Sequence, residues 1–248
     1  MNISHLSALA KLISTNPNEA KTLIKLGSVD VLKSLGDGKY TVLLENKTLT
    51  AQSQMRLNEG ARYWAQLTQD KNTLPQLSNL IKMPQLLKSF ANENLAYTLK
   101  DLQTLLHSKN PAASLKQTLF EQLSNAMTKD EFSNTSNLLL SLQNQTFTIP
   151  LYYHNYFSIL QFKKRYNKKL KKTQIDFYAA LEFLGPVSGV ITFEENDILI
   201  DLSVAYEKTK QILEDDMKNF SYTVTLSLAQ NIEPLYEANL NSLLDVSI

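Results

Sequence analysis

The chain has 248 residues, 43% of them hydrophobic and 20% charged, with a formal net charge of +1. That balance belongs to a folded protein of one or two domains, and it excludes both wholesale disorder and a global attraction to nucleic acid or anionic lipid. Cysteine is absent, which excludes a disulfide framework, a thiolate nucleophile and a zinc–thiolate site.

The opening MNISHLSALAKLISTNPNEA places Ile3, Leu6, Leu9, Leu12 and Ile13 at helical spacing before the pattern breaks, so a short amphipathic helix is expected. It lacks a charged region ahead of an apolar core, and a cleaved signal peptide is not expected. No apolar run approaches the ~18–20 residues that cross a bilayer, so membrane insertion is not expected either. Residues 27–73 hold several short strands with turns at Asp37-Gly38, Glu45-Asn46 and Asn58-Glu59-Gly60, the pattern of a small curled sheet or barrel.

From Leu74 the character changes. Leu77, Leu80, Ile81, Leu87, Leu95, Leu99, Leu102, Leu105, Leu106, Leu115, Leu119, Leu123 and Met127 recur at threes and fours, punctuated by Pro75, Pro84 and Pro111. Several short packed helices are expected over 74–145. In TKDEFSNTSNLLLSLQNQT the polar half reads as a loop and the leucine run as a last helix.

After Thr146 the period becomes two. FTIPLYYHNYFSILQFKKR and TQIDFYAALEFLG read as long strands around YNKKLKK, followed by SGVITFEE, a turn at Asn196-Asp197, and DILIDLSVA. Residues 205–220 return to helical spacing through Tyr206, Thr209, Ile212, Leu213, Met217 and Phe220, and SYTVTLSLA is a final strand. The fold class is α+β. Its expected parts are a leader (1–26), a small β module (27–73), a helical segment (74–145) and a C-terminal domain (146–248) of order β-β-β-β-α-β.

The pieces ALEFLGPVSGVITF, EEND, ILIDLSVA and YEKTKQILEDDMKNF follow, in order and spacing, the C-terminal domain of the flagellar hook-length control family, which this part of the chain resembles. The stretch from Lys39 to Leu67 is similar to a small β module that precedes that domain in some relatives; together the two cover about half the chain. The resemblance implies a cytoplasmic regulator, itself a candidate for export through the flagellar type III apparatus. Its partner would be the cytoplasmic domain of the export gate, with hook or hook-cap subunits as further candidates. The family's proline–acid pair ahead of LG is replaced by LEFLG, and a Gln- and Pro-rich extended tract is missing. Fully stretched the chain would reach about 800 Å, but folded modules at both ends forfeit most of that. The resemblance therefore implies the partner-binding domain more firmly than a measuring device, and a short paralogue is as consistent as the ruler itself.

Two groups of residues are candidates for partner contact. Lys163, Lys164, Arg165, Lys168, Lys169, Lys171 and Lys172 crowd one predicted hairpin tip; without them 18 basic residues face 24 acidic ones, so the rest of the molecule is net negative. Such a tip is either a solvated turn or a steering surface for an acidic partner, and Tyr166 inside it gives a weak case for nucleic acid. Leu184, Gly185, Pro186 and Val187 form the second group, either as a turn that needs glycine or as an exposed contact point.

Tyr152, Tyr153, Tyr156 and Phe157 crowd a strand as sheet packing or as interface anchors. His5, His107 and His154 are scattered, and no G-x-S-x-G elbow or phosphate-binding loop occurs. No metal, cofactor or catalytic residue is assigned, and no enzyme activity is expected. Two other readings stand beside the regulator: an export adaptor or co-chaperone holding a client helix on residues 74–142, and a nucleic-acid module on the basic hairpin.

Overall fold

The computed structural model describes residues 25–44, 47–68, 74–90, 96–153, 156–169, 171–194, 197–217, 220 and 222–237. The expected N-terminal helix, the Glu45-Asn46 turn, Asn196, His5 and His154 lie outside them. The molecule is mixed α+β, and it divides into two compact units, Met1–Lys82 and Met83–Ile248.

The first unit is a closed five-stranded barrel built from β1 (Lys25–Gly36), β2 (Lys39–Leu44), β3 (Lys47–Ser53), β4 (Arg62–Thr68) and β5 (Gln76–Lys82). The order around it is β1-β2-β3-β5-β4, with β1 returning to β4 and the β3–β5 contact parallel. This is the Greek-key closure of an OB-type barrel. Asp37 and Gly38 turn β1 into β2 with φ of 50° and 69°, the left-handed pair that matches strand twist. Val29, Val31, Tyr40, Val42, Ala51, Tyr63, Ala65 and Leu77 fill the interior. The loop after β3 is tied down from within: the Tyr40 hydroxyl accepts from the Leu57 amide (3.2 Å) and the Tyr63 hydroxyl from that of Asn58 (3.1 Å). Outside, Asp30 and Arg62 face each other across β1 and β4 in a two-pronged ion pair.

The barrel takes in residues that leucine spacing assigns to helix. Leu77, Leu80 and Ile81 belong to β5, which closes the barrel, so the module runs past residue 73 to Lys82.

In the second unit, α1 (Gln85–Phe90), α2 (Leu99–Leu106), α3 (Pro111–Ser124) and α4 (Lys129–Gln143) precede a six-stranded sheet. The helices belong to the same compact unit as the sheet, and no boundary falls near residue 145. Their starts are explicit in the sequence. Thr98 and Thr128 form capping boxes with Asp101 and Glu131, and Asn110 caps α3 with Pro111 in its first turn. The capping box turns the polar half of TKDEFSNTSNLLLSLQNQT into helix, where a loop is expected.

The sheet order is β11-β10-β9-β8-β7-β6. The strands are β6 (Phe147–Tyr153), β7 (Tyr156–Asn167), β8 (Lys172–Leu181), β9 (Gly185–Phe193), β10 (Ile198–Val204) and β11 (Thr223–Leu228), with α5 (Glu207–Met217) between the last two. The stretch expected as one strand from Phe147 is two, paired antiparallel from Phe147↔Phe162 to Tyr153↔Tyr156. Five antiparallel strands therefore precede the helix instead of four, and β11 returns parallel to β10. A parallel neighbour requires a crossover, which α5 supplies.

Candidate partner-binding surface

Strand alternation and register sort the sheet's side chains onto two faces. One face is mixed and polar in character. Its middle is sealed by the segment after β11, which Gln161 holds as a strand would: the amide nitrogen donates to Tyr236 O (2.6 Å) and the amide oxygen accepts from Tyr236 N (3.2 Å).

The other face is apolar and carries successive rows across the strands. Leu160, Ala179, Val187, Val204 and Leu228 form one; Phe162, Phe177, Gly189, Leu202 and Leu226 form the next. Leu213 of α5 packs onto these rows, and Ala179, Val187 and Val204 are buried there. The third row is Lys164, Ile175, Ile191, Ile200 and Val224. None of its members joins the buried cluster, and all four aliphatic side chains stay partly exposed. Two residues beyond Lys164 and Ile191 stand Tyr166 and Phe193, and two before Val224 stands Tyr222, with exposures of 61%, 43% and 48%. An uninterrupted apolar row, backed by a rigid sheet and fringed by aromatic side chains, is what protein interfaces use for anchors.

The basic hairpin borders this surface. Lys164 ends the third row on the exposed side, and Lys168, Lys169 and Lys171 surround the adjoining turn, all exposed. Lys163 and Arg165 fall on the opposite face, where Arg165 donates to Asp176 (2.7 Å). Lys172 forms an ion pair with Glu194. The seven cations thus divide: Arg165 and Lys172 are paired with carboxylates, Lys163 is half-buried on the opposite face, and the other four are exposed around one end of the sheet.

The second sequence-predicted group lies at the other end. Lys172 and Leu181 bracket the ten residues of β8, a separation of roughly 30 Å, so the hairpin tip and the Leu184–Val187 turn do not form one site. Gly185, Pro186 and Val187 are buried, which corrects the reading of this bend as an exposed contact. Gly185 has φ of +83° and lies under the Tyr206 ring, and the Leu184 carbonyl accepts from Thr209 Oγ1 at 2.5 Å. The LGPV stretch is a socket for the start of α5. Burial of the phenol pushes the Tyr206 hydroxyl well above its ordinary pKa, and that of Tyr178 likewise.

The aromatic residues of the first hairpin cluster at that same end. Tyr152 meets Phe157 at a tilt with ring centres 4.8 Å apart, and Tyr156 meets Phe183 edge-on at 5.0 Å. His107 is exposed, with Nδ1 2.7 Å from the Gln103 carbonyl one turn back.

The aliphatic row was not singled out by sequence reasoning. Its members come from four strands, and only the pairing register aligns them; the one local signal is the alternation Ile198, Ile200, Leu202, Val204. No family model matches the chain, and neither a curated protein nor a solved structure is significantly similar to it.

Proposed function

We propose that this chain is a non-enzymatic regulator that works by binding another protein through the exposed end of its C-terminal sheet. The observation that carries the reading is the Lys164–Ile175–Ile191–Ile200–Val224 row, left partly uncovered beside a cluster of solvent-facing lysines. The matching partner presents apolar side chains flanked by acidic ones. Lysines at the rim accelerate encounter, while the aliphatic and aromatic groups hold the complex.

The setting we propose is flagellar type III export, with the cytoplasmic domain of the export gate as the partner, on the strength of the hook-length control resemblance in residues 180–220. The mechanism is a shift of populations. Binding one state of the gate more tightly than another moves the gate toward it and changes which subunits it passes. A deletion strain tests this: overlong hooks or absent filaments are expected, and normal flagella contradict it.

A second reading has its own support. Leu99, Leu106, Phe120, Met127 and Phe132, on and between α2, α3 and α4, are all exposed, as a surface that holds an amphipathic client helix would be. Loss of a client on Phe120→Ser and Phe132→Ser, with gate binding intact, would favour it.

A further inference from the structure

The two margins of the C-terminal sheet are treated differently. Along β6 the outer edge is engaged at its centre, where Tyr97 donates to Pro150 O and accepts from Tyr152 N, both at 2.9 Å. Along β11 the only neighbouring strand among the described residues is β10. The strand reads TVTLSL, without a charge or a proline, so it lacks the devices by which edge strands commonly avoid pairing. Its side chains also anchor it to its neighbours. Ser227 Oγ sits 3.1 Å from Ser203 Oγ and donates to Leu202 O at 3.2 Å, and Thr223 Oγ1 donates to Asp197 at 3.3 Å. Its apolar side is exposed at both ends: Tyr222 and Leu228 are half exposed, and Phe220 packs against Tyr222 with ring centres 6.4 Å apart.

We propose that the β11 edge pairs antiparallel with the β11 edge of a second copy of this chain. A two-fold axis normal to the sheet reverses the strand and keeps each face on its own side, so the apolar side of one copy continues into that of the other. With the axis at Val224, Tyr222 opposes Leu226 of the second copy and Thr223 opposes Thr225. These pairs and Val224 with Val224 are apolar with apolar or hydroxyl with hydroxyl, and no like charges meet. This self-complementarity selects a second copy over an unrelated strand. The arrangement also joins the two aliphatic rows, each ending on its own Val224, into one band with a lysine at both extremities. Edge pairing over Tyr222–Leu226 falls short of the roughly 1,200 Å² of a stable interface, so the dimer is weak and depends on concentration.

Sedimentation velocity of the full chain, from micromolar to near-millimolar concentration, tests the pairing. The wild type is expected to pass from monomer to dimer. Thr223→Lys/Thr225→Lys and Thr223→Glu/Thr225→Glu place like charges opposite each other and each weaken the dimer by about tenfold or more, with far-UV circular dichroism unchanged. An equimolar mixture of the two variants restores it. A wild type that stays monomeric, including one that takes up only a foreign strand, overturns the proposal. So does a dimer indifferent to both variants or not restored by mixing them. The result is independent of gate binding, which is read from a different partner.

Discussion

Gly185 and Tyr206 occupy one space between them: a Cβ on the glycine would lie 2.6 Å from Cδ2 and Cε2 of the tyrosine ring. The glycine's φ of +83° is itself a conformation that side-chain-bearing residues adopt at a cost. Gly185→Ala therefore meets strain and overlap together, and a loss of roughly 2–4 kcal/mol is expected. Gly36 separates the two effects, since its φ is +84° and nothing lies within 4 Å of its would-be Cβ. Gly36→Ala should cost about 1 kcal/mol. Urea unfolding of both variants checks the ordering, and equal losses would contradict it.

Gln161 is buried, and its side-chain amide bonds both the carbonyl and the amide of Tyr236. Replacing it with leucine keeps the volume and leaves the Tyr236 amide and carbonyl without their partner. A loss of about 1–3 kcal/mol is expected, together with faster hydrogen exchange at Tyr236. Unchanged exchange there would show that the Gln161 contacts do not hold the segment.

Asp101 links α2 to pH. The Thr98 hydroxyl and backbone amide both bond its carboxylate, at 2.6 and 2.9 Å, and hold its pKa below the ordinary 3.8. A depressed carboxylate stabilises the fold fully above the unfolded-state value, and the contribution disappears as pH falls through the lower folded value. The group is exposed, so the effect is small. Stability should fall more steeply below pH ~4 in the wild type than in Asp101→Asn, as read from thermal midpoints across that range; parallel curves would contradict it. Loss of the cap in Thr98→Ala should cost about 1 kcal/mol at neutral pH.

Much of the fold is legible in the chain because local rules and tertiary structure agree. Asp37-Gly38 is a tight hairpin turn, the leucine spacing over residues 99–123 lies in helices, and the alternation Ile198, Ile200, Leu202, Val204 marks a strand. The failures have local causes. In β5 the register against β4 slips between Trp64 and Gln66, opposite Asn79, whose φ is +48°. The irregularity puts Leu77 and Leu80 on one side at a spacing of three, which imitates a helix. The LGPV turn has the composition of an exposed bend and is buried only because α5 folds back over it. The third row of the sheet depends on residues up to 60 positions apart, and a one-dimensional pattern cannot align them.

The central claim is that the uncovered aliphatic row and its lysine rim bind an acidic, apolar protein surface. Its most direct test is a calorimetric titration of the full chain with the purified cytoplasmic domain of the flagellar export gate, repeated with Ile191→Lys and with Lys164→Glu/Lys168→Glu. Wild type should bind, more weakly as salt rises. Ile191→Lys should weaken binding at least about tenfold, by burying an unpaired charge, and the rim reversal should weaken it and remove most of the salt dependence. An absence of wild-type binding, or binding that neither variant alters, would contradict the account.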